Sequence, residues 1–179
     1  MIEIESKYRS PGNDKVVKAL ARLEGRKLSE SEMEDIYFAH PLRDFGKTDE
    51  SLRLRKTGEF SELTYKGPRM HTESTKAREE LTVKIDNPLA AQRIIERLGF
   101  KEFSVVRKRR SSYLLDKLRV DVDDVDELGE FVELEVLTES PERSAQLLEL
   151  ARKELGLEKL EQRTYLELLL EKRSSSAKK

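Results

Sequence analysis

The sequence predicts an α+β fold: a closed eight-stranded antiparallel β-barrel, in effect a tunnel, with helices packed on the outside. Three observations lead there. Several segments alternate charged and apolar residues with the two-residue period of a strand. Helical periodicity is confined to a few stretches, and most strands follow one another as hairpins without helical crossovers, which implies a mainly antiparallel sheet. The charged rows recur on strand after strand; curling such a sheet with its apolar face outward beneath helices makes those rows the lining. The ordinary alternative is an open sheet with its charges in water.

Residues 2 to 9 alternate cleanly and meet Ser10-Pro11-Gly12-Asn13, a turn that hands over to a helix from about Asp14 to Glu24. Val16, Val17, Leu20 and Leu23 form its apolar stripe, and Gly25 stops it. Strands are expected near 28–40, 51–57, 60–67 and 76–86, with Thr57-Gly58-Glu59 giving one tight hairpin. A second helix opens on Asn87 as cap and Pro88 in the first turn, carries Leu89, Ile94, Ile95 and Leu98, and ends at Gly99. Strands follow near 100–114, 117–125 and 129–138. Ser140 and Pro141 open a third helix that runs to about Leu155 and closes on Gly156. A short last helix near 162–171 carries Tyr165, Leu168 and Leu169, so residues 1–171 read as a single domain and 172–179 as a flexible C-terminal tail.

At 179 residues with 36% hydrophobic side chains, the chain is long enough to bury one core. Its 35 basic and 36 acidic residues nearly cancel, so no overall field recruits nucleic acid or an anionic membrane, and any charge selectivity is local. The absence of cysteine excludes disulfides and thiolate metal sites. Two histidines, His40 and His71, read as ordinary loop residues and give little support to a zinc site, so a bound metal is expected to take oxygen ligands. No stretch approaches the roughly 18 apolar residues of a membrane span, and the N-terminus has acids where a signal peptide needs a basic and then apolar run. The expectation is a soluble, cytoplasmic protein; exposed apolar strand or helix surface allows a homodimer without any residue pattern demanding one.

The charged alternation carries the chemistry. Glu3, Glu5 and Lys7 point one way from the first strand, and Glu133 and Glu135 pair similarly near the end of the chain, while Ile2, Ile4, Val132, Leu134 and Val136 point the other way. Between them stand Arg53 with Arg55, Lys66, Arg78 with Lys84, and Lys108 with Arg110. Any one of these reads equally well as a solvated strand face or a surface ion pair worth at most about 1 kcal/mol. Gathered together, acids and bases suit a highly charged anion bound with a divalent metal, and arginine offers a fork matched to phosphate oxygens. One of the acids in Asp121-Val122-Asp123-Asp124-Val125-Asp126 can complete an oxygen shell; Asp123 is the choice, although spacing does not separate it from Asp121. No Gly-rich phosphate loop is present, and Tyr65-Lys66-Gly67-Pro68 lacks the strand-to-helix setting of one, so phosphate binding would use side chains. A nucleic-acid reading of Arg107-Lys108-Arg109-Arg110 is disfavoured by the acidic surroundings and the lack of interleaved aromatics.

These residues resemble the CYTH family, the triphosphate tunnel metalloenzymes, whose hallmark E-x-E-x-K stands here as Glu3, Glu5 and Lys7. Within that family the chain looks most like the class IV adenylyl cyclase group and its archaeal relatives. The segment Glu34-Asp35-Ile36-Tyr37-Phe38-Ala39-His40-Pro41, then Asp49-Glu50-Ser51-Leu52-Arg53-Leu54-Arg55, carries part of that likeness. The rest lies in Leu63-Thr64-Tyr65-Lys66-Gly67-Pro68, Arg78 with Glu80, Lys108 with Arg110, Val122-Asp123-Asp124-Val125, Phe131-Val132-Glu133-Leu134-Glu135 and Thr164-Tyr165-Leu166-Glu167-Leu168-Leu169. The resemblance spans essentially residues 1–170 and implies an eight-stranded antiparallel tunnel holding a nucleoside triphosphate or other triphosphate with Mg²⁺ or Mn²⁺. It implies catalytic roles for Glu3, Glu5 and Lys7; substrate contacts for Arg53, Arg55, Lys66, Arg78, Lys84, Lys108 and Arg110; and metal contacts for Glu5, Glu80, Asp123, Glu133 and Glu135. Thr82 departs from the acid that many relatives carry after Glu80. The leading expectation is cyclisation of ATP to cyclic AMP and pyrophosphate; hydrolysis of inorganic or thiamine triphosphate is the alternative, and a non-catalytic nucleotide or polyphosphate binder the third.

Overall fold

In the computed structural model, the backbone is described for residues 2–71, 76–138 and 141–176, and side chains for 4–69, 78–136 and 145–176. The elements in chain order are β1 (Ile2–Arg9), α1 (Asn13–Arg22), β2 (Arg26–Ala39), α2 (Phe45–Thr48), β3 (Ser51–Thr57), β4 (Ser61–Lys66), β5 (Met70–His71), β6 (Lys76–Ala77), β7 (Glu80–Lys84), α3 (Pro88–Arg97), β8 (Lys101–Leu115), β9 (Leu118–Val125), β10 (Gly129–Thr138), α4 (Pro141–Glu154), β11 (Lys159–Leu160) and α5 (Tyr165–Ser176). The expected strand at 76–86 is divided: β6 pairs with β5 in a small separate sheet, and β7 joins the main one.

The main sheet has nine strands in the order β11-β1-β10-β9-β8-β2-β3-β4-β7, so it is open and the expectation of a closed eight-stranded barrel is corrected. Alternation tells which side chains share a face; closure is a separate matter of which strands meet at the two edges. The outer edge of β1 is taken by the two-residue β11, through Tyr8 opposite Leu160 and Arg9 opposite Lys159, with the Glu161 N–H donating to the Lys7 carbonyl. At the far end, β7 pairs with β4 and with no other strand among the described residues.

The chain divides into two compact units, one from the described residues within Met1–Glu32 and Lys108–Lys179, the other from Met33–Arg107. In the first, Tyr8, Val120, Val122, Val132, Leu134 and Val136 from the sheet meet Val16, Ala19 and Leu20 of α1 and Leu148 and Ala151 of α4 in one apolar core. In the second, Ile36, Phe38 and Leu54 pack with Ile95 of α3. Helix α1 buries Val16 and Leu20 of its expected stripe, whereas on α3 the expectation is corrected: Ile95 is buried, but Leu89, Ile94 and Leu98 are exposed, so a single position of that stripe meets the sheet.

Helix ends follow local chemistry. The Asn87 side chain accepts from the Ala90 N–H at 3.0 Å and Pro88 takes the first turn of α3, as the sequence reading has it. Gly156 closes α4 at φ 67°, with Leu157 N–H returning to the Arg152 carbonyl at 2.9 Å. At the end of α1 the expected stop is shifted by one residue. Glu24 takes the left-handed position at φ 60°, and Gly25 supplies the return bond to the Leu20 carbonyl at 2.8 Å. The space at Gly25 is tight: an added Cβ would lie 3.1 Å from the Leu20 carbonyl oxygen, so the backbone would have to give by a few tenths of an ångström. At α5, Thr164 and Glu167 form a reciprocal capping box, the Glu167 N–H donating to Thr164 Oγ1 at 3.2 Å and the Thr164 N–H to Glu167 Oε2 at 2.6 Å. That helix continues to Ser176, beyond the expected start of the tail; Ser140 and residues 177–179 lie outside the described residues.

Leu134 is fully buried in the first unit, whereas Leu89 on α3 is 67% exposed. Leu134→Ala is expected to cost about 2–5 kcal/mol and Leu89→Ala less than about 0.5 kcal/mol, read from urea unfolding midpoints. Equal losses would contradict the assignment of the core face.

Candidate active site

The first unit presents one face of its sheet as a grid of charges, set by strand register. Lys7 on β1 lies opposite Glu133 on β10, and Glu133 opposite Asp121 on β9; Arg9, Phe131, Asp123 and Arg110 form the adjacent row. The next row brings Glu5 opposite Glu135, and Glu135 opposite Arg119. Glu3 pairs with Leu137 in the backbone ladder, but its side chain lies outside the described ones, as does that of His71.

Asp123 is the centre of this grid and is completely buried. Its Oδ1 accepts from Arg110 Nε at 2.7 Å; its Oδ2 accepts from Arg110 Nη2 at 2.5 Å, Lys108 Nζ at 3.0 Å and the Tyr165 hydroxyl at 2.8 Å. Arg110 also donates to Asp121 Oδ2 at 2.6 Å and to Glu133, so four of its five N–H groups are directed at carboxylates. Arg119 holds the other side of Asp121, Nε to Oδ1 at 3.0 Å, and donates to the Ser112 hydroxyl at 3.1 Å. Burial pushes the Asp123 carboxyl up, but the hydrogen bonds and charges of Arg110 and Lys108 outweigh it and hold the group below the ordinary carboxylate range. Glu133 follows the same logic, burial opposed by the Arg110 and Lys108 charges with a net downward shift.

The second unit repeats the pattern. Asp35 lies opposite Arg55 and Tyr37 opposite Arg53 across β2 and β3; Arg53 then faces Thr64, and Arg55 faces Glu62, on β4. Arg55 grips Asp35 with both prongs, Nε to Oδ1 at 2.6 Å and Nη2 to Oδ2 at 2.7 Å. Arg53 donates more loosely to Glu62 at 3.3 Å and to Thr64 at 3.4 Å, and its Nε is buried without a hydrogen-bond partner among the described residues. Burial and the neighbouring Asp35 carboxylate push the Tyr37 hydroxyl up to about 12. Lys66 donates to the exposed Glu80 at 2.7 Å, and the Thr64 and Thr82 hydroxyls meet at 3.1 Å. Lys84 is exposed, opposite Glu62 in register. The Arg78 guanidinium is directed at backbone, at the Gly67 carbonyl at 2.6 Å and the Asp49 carbonyl at 3.0 Å, which fastens the loop after β4.

The structure thus brings Lys7, Lys108, Arg110, Asp123 and Glu133 onto one face, with Glu5 and Glu135 in the neighbouring row. In the other unit it gathers Arg53, Arg55, Lys66 and Glu80. Sequence reasoning missed Asp35, Tyr37, Glu62, Arg119 and Tyr165 as members of these networks. For Asp35 the signal was the alternation of Asp35 and Tyr37 opposite two arginines; for Tyr165 it was the Thr-x-x-Glu cap that fixes the start of α5.

Among the described residues, no group of three or more His, Cys, Asp or Glu is arranged to hold a metal ion by itself. The fit therefore rests on pairs. Glu5 and Glu135 stand directly across β1 and β10, the first exposed and the second partly so, with Arg119 next in the same row. Two like charges opposite each other are unfavourable unless a cation intervenes, and one or two carboxylates completed by water and phosphate oxygens is the usual Mg²⁺ shell. The oxygen donor set fits Mg²⁺ or Mn²⁺.

Each of the two units, taken by itself, carries acidic and basic residues paired across its antiparallel strands. Residues 1–165 match the CYTH domain model, and the chain belongs to the CYTH family. It is similar to a Methanocaldococcus jannaschii protein, MJ0240, provisionally named adenylate cyclase, with 43% identity over 75% of this chain and 77% of that one. It is also similar to the adenylate cyclase CyaB of Aeromonas hydrophila, with 30% identity over 91% and 86% of the two chains. Among solved structures, the PH1819 protein of Pyrococcus horikoshii is 38% identical, covers 96% of this chain and 99% of its own, and superposes with a TM-score of 0.81. Among the described residues no helix is long and apolar enough to cross a membrane.

The hydrogen bond from Arg163 holds Glu161 down to about 2, and Asp123 and Glu133 are likewise depressed. Such groups stabilise the fold above the unfolded carboxylate value and lose that contribution as pH falls through the folded value. The urea midpoint is expected to drop as pH falls from about 4.5 toward 2. Asp123→Asn, which leaves Arg110 and Lys108 without their shared anion, is expected to cost about 3–5 kcal/mol at pH 7 and to flatten that pH dependence. A midpoint unchanged between pH 7 and pH 3 would contradict this reading.

Proposed function

We propose that this protein is a divalent-metal-dependent enzyme acting on a triphosphate, and that its reaction is the cyclisation of ATP to cyclic AMP with release of pyrophosphate. One observation carries the reading: Glu5 faces Glu135 in register, in the row beside the network that orients Lys108 and Arg110. Adenylate cyclase names on relatives that match three quarters or more of the chain support the same choice of reaction.

In the first unit Lys7, Lys108 and Arg110 are assigned to phosphate oxygens; in the second, taken by itself, Arg53, Arg55 and Lys66 are the candidates. Arg53, 13% exposed and loosely held with a buried Nε lacking a partner among the described residues, is better placed for a forked contact than Arg55, whose fork is taken by Asp35. Glu5 and Glu135 are assigned to the metal, which when bound supplies Lewis acidity and offsets phosphate charge. In cyclisation the ribose 3′-oxygen forms a bond to the α-phosphorus and the α–β bridging P–O bond breaks. The hydroxyl proton passes to water and the electron pair ends on pyrophosphate. Cationic donors already held in place stabilise that developing charge without reorganising as it forms. Asp123 and Asp35 serve by orienting those donors, and Arg78 and Lys84 are left with weaker claims on substrate: the first is turned toward carbonyls and the second is exposed.

The test is product identification. The protein is incubated with Mg²⁺ or Mn²⁺ and ATP, inorganic triphosphate or thiamine triphosphate, and products are resolved by chromatography. ATP is expected to give cyclic AMP and pyrophosphate, with Glu135→Gln and Arg55→Ala each lowering the rate about 100-fold or more. Phosphate release from the other two substrates without cyclic AMP would replace cyclisation by hydrolysis. Undiminished turnover in both variants would remove the site assignment.

A further inference from the structure

Three of the four donors on Asp123 come from β8; the fourth comes from a helix. Tyr165 is the first residue of α5, fixed there by the Thr164–Glu167 capping box, and it is 8% exposed. Its hydroxyl donates to Asp123 Oδ2 at 2.8 Å. Its ring lies 4.4 Å from Lys7 Nζ and 4.9 Å from Lys108 Nζ, both within cation–π range, and packs edge-on against Phe131 at 5.1 Å. Burial and the nearby Glu133 and Asp123 carboxylates push the phenol far above its ordinary value, so it remains a donor at any working pH.

Two ammonium groups against one ring repel each other and have flexible four-carbon stems. The ring's negative face offsets that repulsion, and the hydroxyl fixes the carboxylate to which Lys108 also bonds. We propose that Tyr165 is a positioning residue that acts through Asp123, Lys7 and Lys108 to set the two ammonium groups for phosphate binding. The inference deepens the triphosphate reading above and rests on it. Tyr165 need not touch substrate: it reduces the rotamer freedom that binding would otherwise have to remove.

The test is calorimetric binding of inorganic triphosphate with Mg²⁺ to the full chain and to Tyr165→Phe, Tyr165→Leu, Lys108→Met and the Tyr165→Phe/Lys108→Met double variant. Far-UV dichroism and thermal midpoints are recorded for each. Tyr165→Phe keeps the ring and is expected to weaken binding about tenfold through loss of one charge-assisted hydrogen bond. Tyr165→Leu removes the ring as well and is expected to weaken it about a further fivefold. If Tyr165 acts through Lys108, adding Tyr165→Phe to Lys108→Met costs little more; a helix that merely packs would give losses that multiply. Should Tyr165→Leu fail to fold, the Tyr165→Phe cycle decides alone. Wild-type affinity in Tyr165→Phe, or multiplying losses in the cycle, overturns the inference while leaving the triphosphate reading intact. A folded wild-type protein that binds no triphosphate overturns that underlying reading instead.

Discussion

A completely buried carboxylate is the constraint on which the first unit depends. An ion of this kind is unfavourable in a protein interior unless its oxygens are met by donors, and Asp123 meets four of them. Those donors belong to distant parts of the chain. Arg110 and Lys108 bring in β8, Tyr165 brings in α5, and the Asn13 side chain of α1 donates to the Asp123 backbone carbonyl at 3.0 Å. Arg110 then reaches Glu133 on β10. A hydrophobic core of similar volume would pack these elements as well, but it would not dictate where each cation points. The ionic centre therefore contributes direction more than net stability.

Direction is what a polyanion site requires. A flexible arginine or lysine loses about 2 kcal/mol of rotamer freedom when it is immobilised. Cations already held by carboxylates have lost that freedom before ligand arrives, and the same arrangement occurs independently in the second unit, where Asp35 forks with Arg55 while Arg53 is held more loosely. The looseness at Arg53 is informative. A guanidinium with a buried, unpartnered Nε is already desolvated, so a phosphate oxygen at that nitrogen would gain a hydrogen bond without stripping water from it.

Much of this was legible in the sequence because strand alternation is a strict rule. The period of two placed Lys7, Glu133 and Arg110 on a common polar face and Val132, Leu134 and Val136 on the core, and register confirmed that partition. Asn87-Pro88 and Gly156 announced their helix ends correctly. Closure of the sheet was not legible, since two residues at Lys159–Leu160 suffice to occupy the β1 edge and leave no periodic signal. The division of labour among acids was also hidden. Asp121 and Asp123 share a face and a spacing, and only the long-range contacts of Arg110, Lys108 and Tyr165 distinguish them. Glu24 rather than Gly25 adopts the left-handed backbone at the end of α1, and Gly25 sits close to Leu20, a contact that propensity does not describe.

Asp121, Asp123 and Glu133 each meet an arginine within 3 Å, and the register sets Glu5 directly across from Glu135. Like charges directly across an antiparallel pair lower stability. A small divalent cation removes the repulsion, and because it demands about six oxygen ligands, two carboxylates leave coordination positions for water and phosphate. Metal and triphosphate would then each complete what the other lacks, which makes their binding reciprocal: each raises the affinity for the other by the same factor.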